Sequence, residues 1–387
     1  MTIEEVRTAV ARSLAQALAG ADVEIPDAEA IVIERPKSRE HGDYATNAAL
    51  ALAKKAGRNP RELAEQIAEQ LRGAPGIAAV EIAGPGFVNI TLEAAAQGEV
   101  ARTVVTEGGA YGHTDTLAGL RVNVEFISAN PTGPLHLGHT RWAAVGDAIA
   151  RVFAAAGADV AREFYINDRG VQMDKFGASV MAAAHGRPVP EDGYHGGYIT
   201  DLAAAIIAED PDILDQPEDE QLVAFREAAY AKQLRQQQQV LDLFRTHFDV
   251  WYSERELHDS GAVERGLERL REQGHVFEEE GAVWLRTTDF GDDKDRVLVK
   301  ADGEYTYFAS DTAYYVDKRA RGFDRNIYLL GADHHGYVNR LRAVAACAGD
   351  DMDANIEILI GQLVKITRGG EEVKLSKRAG NIVTLED

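Results

Sequence analysis

The sequence contains little cysteine, no long apolar run and relatively few basic residues. Its 387 residues include one cysteine, Cys347, which excludes a disulfide framework and a cysteine-based zinc site and is typical of a reducing compartment. No run of about 18 uncharged apolar residues occurs, and the N-terminal residues are acidic, so we expect neither a membrane span nor a targeting segment. These absences favour a cytoplasmic protein without a membrane partner.

Positive charge is scarce overall, but it is unevenly distributed. Lys and Arg number 41 against 63 Asp and Glu, and the resulting net charge of −22 argues against a nucleic-acid partner. Residues 188–225 hold ten carboxylates and no basic residue, whereas residues 35–61 hold seven basic residues against two acidic ones. We interpret the acidic stretch as solvated surface, and the basic stretch either as a phosphate-contacting surface or as a solvated face. The net charge therefore averages over patches of both signs.

The composition, with 45% apolar residues and 36 glycines, is that of a globular protein large enough for two or three cores. Residues 1–115 are predicted to form a small α+β domain, followed by residues 116–387 as a second domain with a glycine-containing linker at 108–112. In the first domain the apolar spacing and turn residues predict helices over 3–18 and from Pro60, and strands over 80–82 and 87–90 around a turn at 84–86.

From residue 122 onward, strand and helix patterns alternate. This alternation predicts an α/β fold with a doubly wound parallel sheet. Residues 167–306 interrupt the alternation, and we interpret them as an insertion. The predicted elements are strands over 122–126, 162–166, 305–308, 326–330 and 356–360, and helices over 135–153, 312–321 and 337–347.

The segment HLGH at 136–139 is the strongest candidate for chemistry, because it leads from the first strand of this sheet into the first helix. Backbone N–H groups at a helix N-terminus, together with His136 and His139, would hold a polyphosphate. Pro131 and Gly133 shape the preceding loop, and Gly138 would let a flat base approach the backbone. The alternatives are a metal pair or two surface histidines, but the segment lacks the spacing and the glutamate of a zinc-protease helix.

A second candidate segment is KLSKR at 374–378, after the last predicted strand. A short basic loop is by itself usually a solvated surface. Paired with HLGH at the other end of the sheet pattern, it would clamp the two ends of one nucleoside triphosphate.

These two segments resemble the HIGH and KMSKS motifs of class I aminoacyl-tRNA synthetases, and further segments narrow the resemblance to arginyl-tRNA synthetases of the bacterial type. The resemblance covers essentially the whole chain and implies a Rossmann-like, HUP-type catalytic sheet with a connective insertion. The segments that carry it are HGDYATN at 41–47, GPGFVN at 84–89, VEFISANPTG at 124–133, FYINDRG at 164–170, GDDKDRV at 291–297, YFASDTAY at 307–314 and GADHHGY at 331–337.

The resemblance implies that L-arginine reacts with ATP to give arginyl-adenylate, and that the arginyl group then passes to the 2′-hydroxyl of tRNA(Arg). His136 and His139 would bind the triphosphate and stabilise the transition state, while Lys374 and Lys377 would neutralise the leaving pyrophosphate. Mg²⁺ would accompany ATP without a dedicated protein metal site. The full expected ATP-binding set is Pro131, Gly133, Leu135, His136, Gly138, His139, Lys374, Ser376 and Lys377.

A guanidinium group is recognised best by carboxylates, because its five donors form a planar fork. Glu125 and Asp311 match the acidic residues of the family's arginine pocket, with Tyr307 packed on the substrate's stem, Asn130 at its α-amino or carboxylate group and His334 as a further hydrogen-bonding residue. Two alternatives stay open. Glu125 would otherwise be a salt-bridged carboxylate at a strand end, and Asp311 the N-cap of the helix predicted from residue 312.

On the tRNA side, Phe87 and Asn89 match positions where the family's N-terminal domain stacks on and reads an exposed D-loop base. The alternative for Phe87 is packing in the core of the hairpin. We expect a monomer.

Family members continue after KMSKS into a helical anticodon-binding domain, whereas this sequence ends at residue 387. We therefore expect that domain to be absent, with arginine binding retained and aminoacylation weak. Two other functions remain as alternatives: a free-standing nucleotidylyltransferase of the HxGH superfamily, which would use a different acceptor, and a synthetase-like binding module. Such a module would normally have lost a motif histidine or lysine, and all four are present here.

Overall fold

The structure is a computed structural model that describes residues 1–21, 23, 25–362, 367–369, 371–372 and 383–386. The chain divides into two compact units, Met1–Gly112 and His113–Asp387. The division falls at the end of the glycine-containing segment that the sequence indicates as a linker.

The first unit packs helices against an antiparallel sheet. Its sheet has the strand order β1-β2-β4-β3. Thr2 and Glu5 form a capping box at the start of α1, and Asn59 caps α3, which begins at Pro60 as predicted. The elements are helices α1 Ile3–Ala17, α2 Ala48–Ala53, α3 Pro60–Arg72 and α4 Ala94–Glu107, and strands β1 Ile33–Glu34, β2 Tyr44–Thr46, β3 Ile77–Ala83 and β4 Phe87–Leu92.

The second unit contains eight helices and ten strands among its described residues. The helices are α5 Thr140–Ala155, α6 Val171–Ala184, α7 Gly197–Glu209, α8 Glu218–Leu243, α9 Glu254–Asp259, α10 Ala262–Glu272, α11 Tyr307–Ala320 and α12 Val338–Cys347. The strands are β5 Arg121–Glu125, β6 Asp159–Ile166, β7 Val250–Ser253, β8 Val276–Glu279, β9 Ala282–Leu285, β10 Arg296–Val299, β11 Arg325–Gly331, β12 Ile356–Gly361, β13 Thr367–Arg368 and β14 Glu371–Glu372.

Five of these strands form a parallel sheet in the order β12-β11-β5-β6-β7, which confirms the predicted doubly wound α/β fold. Strand β5 lies at the centre, and its Val122 and Val124 are completely buried, as a strand covered on both faces requires. The range 167–306, predicted as an insertion, contributes β7 to this sheet. Four half-buried residues are too short a pattern to identify such a strand from the sequence.

The structure also corrects the prediction for residues 305–321. The aromatic and β-branched residues there predict a strand over 305–308, but α11 already begins at Tyr307. The Thr306 hydroxyl caps this helix by accepting a hydrogen bond from the backbone N–H of Ala309. Asp311 therefore lies inside α11, and its interpretation as an N-cap is wrong.

Helix α5 packs so closely on the central sheet that Gly146 has no room for a side chain. A Cβ atom at this position would overlap the ring of Phe126. We expect Gly146→Ala to lower the free energy of unfolding by about 2 kcal/mol, because overpacking displaces the ring. All three tryptophans (Trp142, Trp251 and Trp284) lie in the second unit, so urea unfolding followed by tryptophan fluorescence reports on it.

The matched control for that substitution is Gly197→Ala, because Gly197 is exposed at the start of α7 and nothing lies within 4 Å of its would-be Cβ atom. Equal stability changes at the two glycines would contradict the packing argument.

Within the part of the chain that the structure describes, no helix is long and apolar enough to cross a membrane.

Candidate active site

The candidate residues of the second unit meet at the carboxyl ends of the parallel strands. Glu125 ends β5, Asp168 follows β6, Glu254 follows β7, and the 3₁₀ turn Ala332–Tyr337 follows β11. Between β5 and β11 the direction in which strands are added to the sheet reverses. Open parallel sheets bind ligands outside the carboxyl ends of their strands at this kind of reversal.

The two histidines of the HLGH segment form a stacked pair. Their ring centroids are 3.8 Å apart with an interplanar angle of 17°. The Nδ1 atom of His136 accepts a hydrogen bond from the backbone N–H of Gly138 at 3.1 Å, and Nδ1 of His139 accepts one from the backbone N–H of His136 at 3.2 Å. A neutral imidazole that accepts at Nδ1 carries its proton on Nε2. In the neutral form, both rings therefore carry their proton on Nε2.

The same geometry gives Gly138 a second reason to be glycine, because a Cβ atom there would lie 2.8 Å from the ring of His136. The sequence predicts a helix that starts at residue 135, whereas a 3₁₀ turn over Leu137–His139 precedes α5, which starts at Thr140. The turn brings the two rings onto each other.

A later segment of the chain pairs with the HLGH segment. The backbone N–H of Leu137 donates to the Val383 carbonyl at 2.9 Å, and the backbone N–H of Leu385 donates to the Leu135 carbonyl at 2.9 Å. His136 and Thr384 form an antiparallel bridge between these contacts. Lys374, Ser376 and Lys377 lie outside the described residues.

The loop between β5 and the HLGH segment begins with two left-handed residues, Ile127 at φ 68° and Ser128 at φ 44°. Conformations of this kind are strained in residues other than glycine and concentrate at functional sites. The Ser128 hydroxyl donates to Glu125 Oε1 at 3.1 Å and accepts from the backbone N–H of Tyr165 at 3.1 Å. Further along, the exposed Asn130 donates from Nδ2 to Gln172 Oε1 at 2.9 Å.

Glu125 is buried and forms an ion pair. Its Oε2 atom lies 2.7 Å from Nζ of Lys318, which is completely buried and rests over the rings of Tyr314 and Tyr328. The structure thus shows the salt-bridged strand-end carboxylate that the sequence leaves as an alternative for Glu125. An adjacent cation balances the charge of this carboxylate within the fold.

A second buried carboxylate, Glu163 on β6, lies on the other side of Lys318 at 3.8 Å. It accepts two hydrogen bonds from the guanidinium of Arg321, at 2.6 and 2.9 Å, and one from Asn123 at 2.9 Å. Burial alone would raise the pKa of Glu163, but the charges of Lys318 and Arg321 together with the hydrogen bonds from Arg321 and Tyr314 lower that pKa to about 2. Glu125, Glu163 and Lys318 form the buried part of an ion-pair network, which extends through the partly exposed Arg321 to Asp317.

Glu254, a residue that the sequence analysis missed, is a buried carboxylate at the start of α9. Burial raises its pKa to about 7, and the negative charge of Asp311 adds to the effect, while the positive charge of Arg169 opposes it. A buried carboxylate with a strongly raised pKa is a candidate functional group. The only sequence signal for it was its position directly after β7, which was itself unrecognised.

Asp311 is half-buried on α11 and accepts a hydrogen bond from the Tyr337 hydroxyl at 2.7 Å. Burial and this carboxylate raise the pKa of Tyr337 to about 12, so the hydroxyl stays a donor. Tyr307 lies one helical turn before Asp311 and is 80% exposed, so its ring does not pack in the core. The side chain of His334 lies outside the described residues.

In the first unit, Phe87 begins β4 after a turn that is held from two sides. Gly86 lies against the carbonyl of Pro60 with φ 142°, and Arg61 donates to the Gly84 carbonyl at 3.0 Å. Phe87 is 41% exposed, so the interpretation that it belongs to the hairpin core is wrong. Asn89, two residues along the same strand, is buried.

Among the described residues, no group of three or more histidine, cysteine, aspartate or glutamate side chains is arranged to hold a metal ion.

Comparison with known proteins covers both units. Residues 4–92 match the profile of the arginyl tRNA synthetase N-terminal domain, and residues 102–387 match that of the catalytic domain of class I tRNA synthetases (R). The arginine–tRNA ligase of Micrococcus luteus is 60% identical over 92% of this chain, and that of Paenarthrobacter aurescens is 55% identical over the whole chain. This chain spans 64% and 70% of the lengths of these two relatives.

The solved structures that resemble this chain include arginyl-tRNA synthetases as well. A putative arginyl-tRNA synthetase from Campylobacter jejuni is 34% identical, with a TM-score of 0.67 over 74% of this chain and 63% of that one. The arginyl-tRNA synthetase of Thermus thermophilus, at 22% identity, shares the fold with a TM-score of 0.64 over 92% of this chain and 66% of that one. The matches to the arginyl-tRNA synthetase profiles and relatives extend over both units and include the HLGH segment. This chain therefore belongs to the arginyl-tRNA synthetase family.

Proposed function

We propose that this chain activates L-arginine with ATP to form arginyl-adenylate and transfers the arginyl group to the 2′-hydroxyl of tRNA(Arg). The observation that carries the proposal is that two kinds of group share one sheet edge: the histidine donors of HLGH and the carboxylates Glu254 and Asp311. The first kind suits a triphosphate and the second a guanidinium. The comparisons give no support to a nucleotidylyltransferase or a binding module.

At the ATP end, Nε2–H of His136 and His139 would donate to phosphate oxygens. Pro131, Gly133 and Gly138 would line the nucleotide, and Mg²⁺ would accompany the phosphates. Leu135 was expected in this set, but its side chain is buried in the core cluster that contains Phe164 and Leu241. The pairing of residues 383–385 with the HLGH segment supports roles for Lys374, Ser376 and Lys377.

At the arginine end, Glu254 and Asp311 are proposed to bind the guanidinium group. The like charge of Asp311 raises the pKa of Glu254, so a cation between the two carboxylates would relieve their repulsion. We assign Glu125 to the α-amino end of the substrate, together with Asn130, because Lys318 already balances its charge. Tyr307 would cover the stem of the substrate, and His334 would hydrogen-bond to it.

In the reaction the arginine carboxylate attacks the α-phosphate of ATP and pyrophosphate leaves. The 2′-hydroxyl of the tRNA then attacks the carbonyl of the adenylate, and AMP leaves. Neither step needs a covalent enzyme intermediate. Catalysis is therefore proposed to consist of positioning and of stabilising negative charge on the transferring phosphate.

For tRNA, we propose that the exposed ring of Phe87 stacks on an unpaired base, with Asn89 beside it on the same face of the strand. The basic residues within 35–61 would contact phosphates. The same proposal includes a monomer that acts in the cytoplasm.

The test of this function is ligand binding and pyrophosphate exchange by the 387-residue chain. We expect calorimetry to show binding of L-arginine but not of citrulline, in which an uncharged urea replaces the guanidinium. We expect ATP–pyrophosphate exchange to depend on arginine among the amino acids when tRNA(Arg) is present. Asp311→Asn should weaken arginine binding about tenfold, as the loss of a charged hydrogen bond does. Equal affinity for citrulline, or exchange with another amino acid only, would refute the proposal.

Arginine binding should also depend on pH through Glu254. Its pKa of about 7 in the free protein means that the carboxylate gains its charge as the pH rises from 6 to 8. Because the charged form binds a guanidinium, the dissociation constant for arginine should fall by about five- to tenfold over this interval. The dependence should be absent in Glu254→Gln. An unchanged pH profile in that variant would assign the titration to another group.

A further inference from the structure

Two side chains from α7 and α8 hold the backbone of the loop that precedes the HLGH segment. Gln237 donates from Nε2 to the carbonyl of Asn130 at 3.2 Å and to that of Gly133 at 2.8 Å. Tyr198 donates from its hydroxyl to the carbonyl of Thr132 at 3.1 Å. Three carbonyls in a run of four residues are thus bound by groups that no motif identifies.

The sequence of the loop explains which way its peptide groups then point. In a trans peptide the carbonyl and the following N–H point in opposite directions. Thr132 is followed by Gly133, so binding the Thr132 carbonyl to Tyr198 turns the N–H of Gly133 away from α7. The other two bound carbonyls precede Pro131 and Pro134, which have no N–H. Three carbonyls of the loop therefore point towards the two helices, and the N–H of Gly133 points to the opposite side.

While Nε2 of Gln237 donates both hydrogen bonds, the oxygen of the same amide group is left without one among the described residues. Its side chain is buried, and within the described part of the chain its Oε1 atom has no hydrogen-bond partner. A buried acceptor without a partner is destabilising by about 1–3 kcal/mol. A methionine of similar length would avoid this cost, so packing alone does not explain an amide here.

We propose that Gln237 and Tyr198 are positioning residues that preorganise the loop at 130–134 for binding the triphosphate of ATP. Carbonyl oxygens repel phosphate oxygens, so a loop that is free to rotate its peptide groups would bind ATP only in a fraction of its conformations. A site that is competent for only part of the time binds with a correspondingly weaker apparent affinity. The proposal rests on the proposed function, since it presumes that ATP binds at this loop.

The test compares Gln237→Met and Tyr198→Phe with the unchanged chain, by calorimetry with Mg-ATP and separately with L-arginine, well below the melting temperature. We expect the dissociation constant for ATP to rise about tenfold in Gln237→Met and about threefold in Tyr198→Phe. Because both side chains hold the same loop, the dissociation constant for ATP should rise in the double variant by less than the product of the two single-variant factors. Arginine affinity should fall by a smaller factor than ATP affinity, because Glu254 and Asp311, which hold the guanidinium, lie on other elements and only Asn130 at the α-amino end belongs to this loop.

The control is Gln239→Met, because Gln239 is exposed on the same helix. If the two residues had a purely structural role, their variants would have a lower melting temperature and would bind ATP and arginine more weakly by the same factor. That result would overturn the proposal. Unchanged ATP affinity in Gln237→Met and Tyr198→Phe would also overturn it while leaving the proposed function intact. Failure of the unchanged chain to bind Mg-ATP would refute both.

Discussion

Replacing His139 by alanine is expected to lower the rate of arginine-dependent ATP–pyrophosphate exchange by about 100- to 1,000-fold. A donor aimed at developing charge in a transition state contributes this much when it is preorganised. His139 is held in place by the stack with His136 and by the bond from the His136 backbone to its Nδ1 atom. Its Nε2 proton is the group that the alanine variant removes.

Partial rescue distinguishes this role from a structural one. In His139→Gln the side-chain amide places a donor near the position of Nε2, so we expect exchange to recover by about tenfold relative to alanine. His247→Ala serves as the control, because His247 is exposed and pairs only with Asp242 in the contacts of the described residues. A loss of less than about threefold in His139→Ala would contradict the assigned role.

The second large effect is expected for stability. Lys318→Met should lower the free energy of unfolding by about 3–5 kcal/mol, because it leaves Glu125 buried without its cation and removes a positive charge beside Glu163. Urea unfolding monitored by tryptophan fluorescence measures this change. Adding Glu125→Gln to the variant should restore part of the stability, since it removes the unpaired charge.

Lys175→Met is the matched control, because that lysine pairs with Asp192 at the surface and should contribute at most about 1 kcal/mol. The same cluster predicts acid sensitivity with a definite sign. The pKa of Glu163 is lowered in the fold, so its contribution is present above about pH 4.5 and is lost as the pH falls towards 2. Equal acid stability of Lys318→Met and the unchanged chain would contradict this account.

The sequence predicted the local motifs, but it did not predict the contacts between residues that are distant along the chain. The HLGH segment and the alternation of strands and helices were identifiable because they depend on neighbouring residues alone. Glu254 was missed because its burial and its repulsion from Asp311 arise only when α9 and α11 converge. Lys318 was missed for a related reason: a lysine on a helix is ordinarily solvated, and only the sheet beneath α11 supplies its carboxylates.

Tyr307 shows how strand propensity and capping can conflict. Aromatic and β-branched residues favour a strand at this point, but the Thr306 hydroxyl satisfies a free N–H of a helix that starts at the next residue. The helical start places Tyr307 and Asp311 one turn apart on the same face, about 6 Å along the helix axis, whereas an extended strand would separate them by about 13 Å. The missed helix start therefore changed the predicted geometry of the pocket as well as its secondary structure.

The length of α8 has a consequence for how the acidic surface acts on the anionic ligands proposed here. Its first turn carries Glu218, Asp219 and Glu220, while Gln237 near its other end holds the loop of the proposed triphosphate site. At about 1.5 Å per residue, the helix separates Glu218 from Gln237 by roughly 28 Å. At physiological ionic strength that distance is more than three Debye lengths of about 8 Å each. Mobile ions thus screen ATP at the loop from this acidic end of the helix, and the repulsion should become appreciable only in dilute buffer.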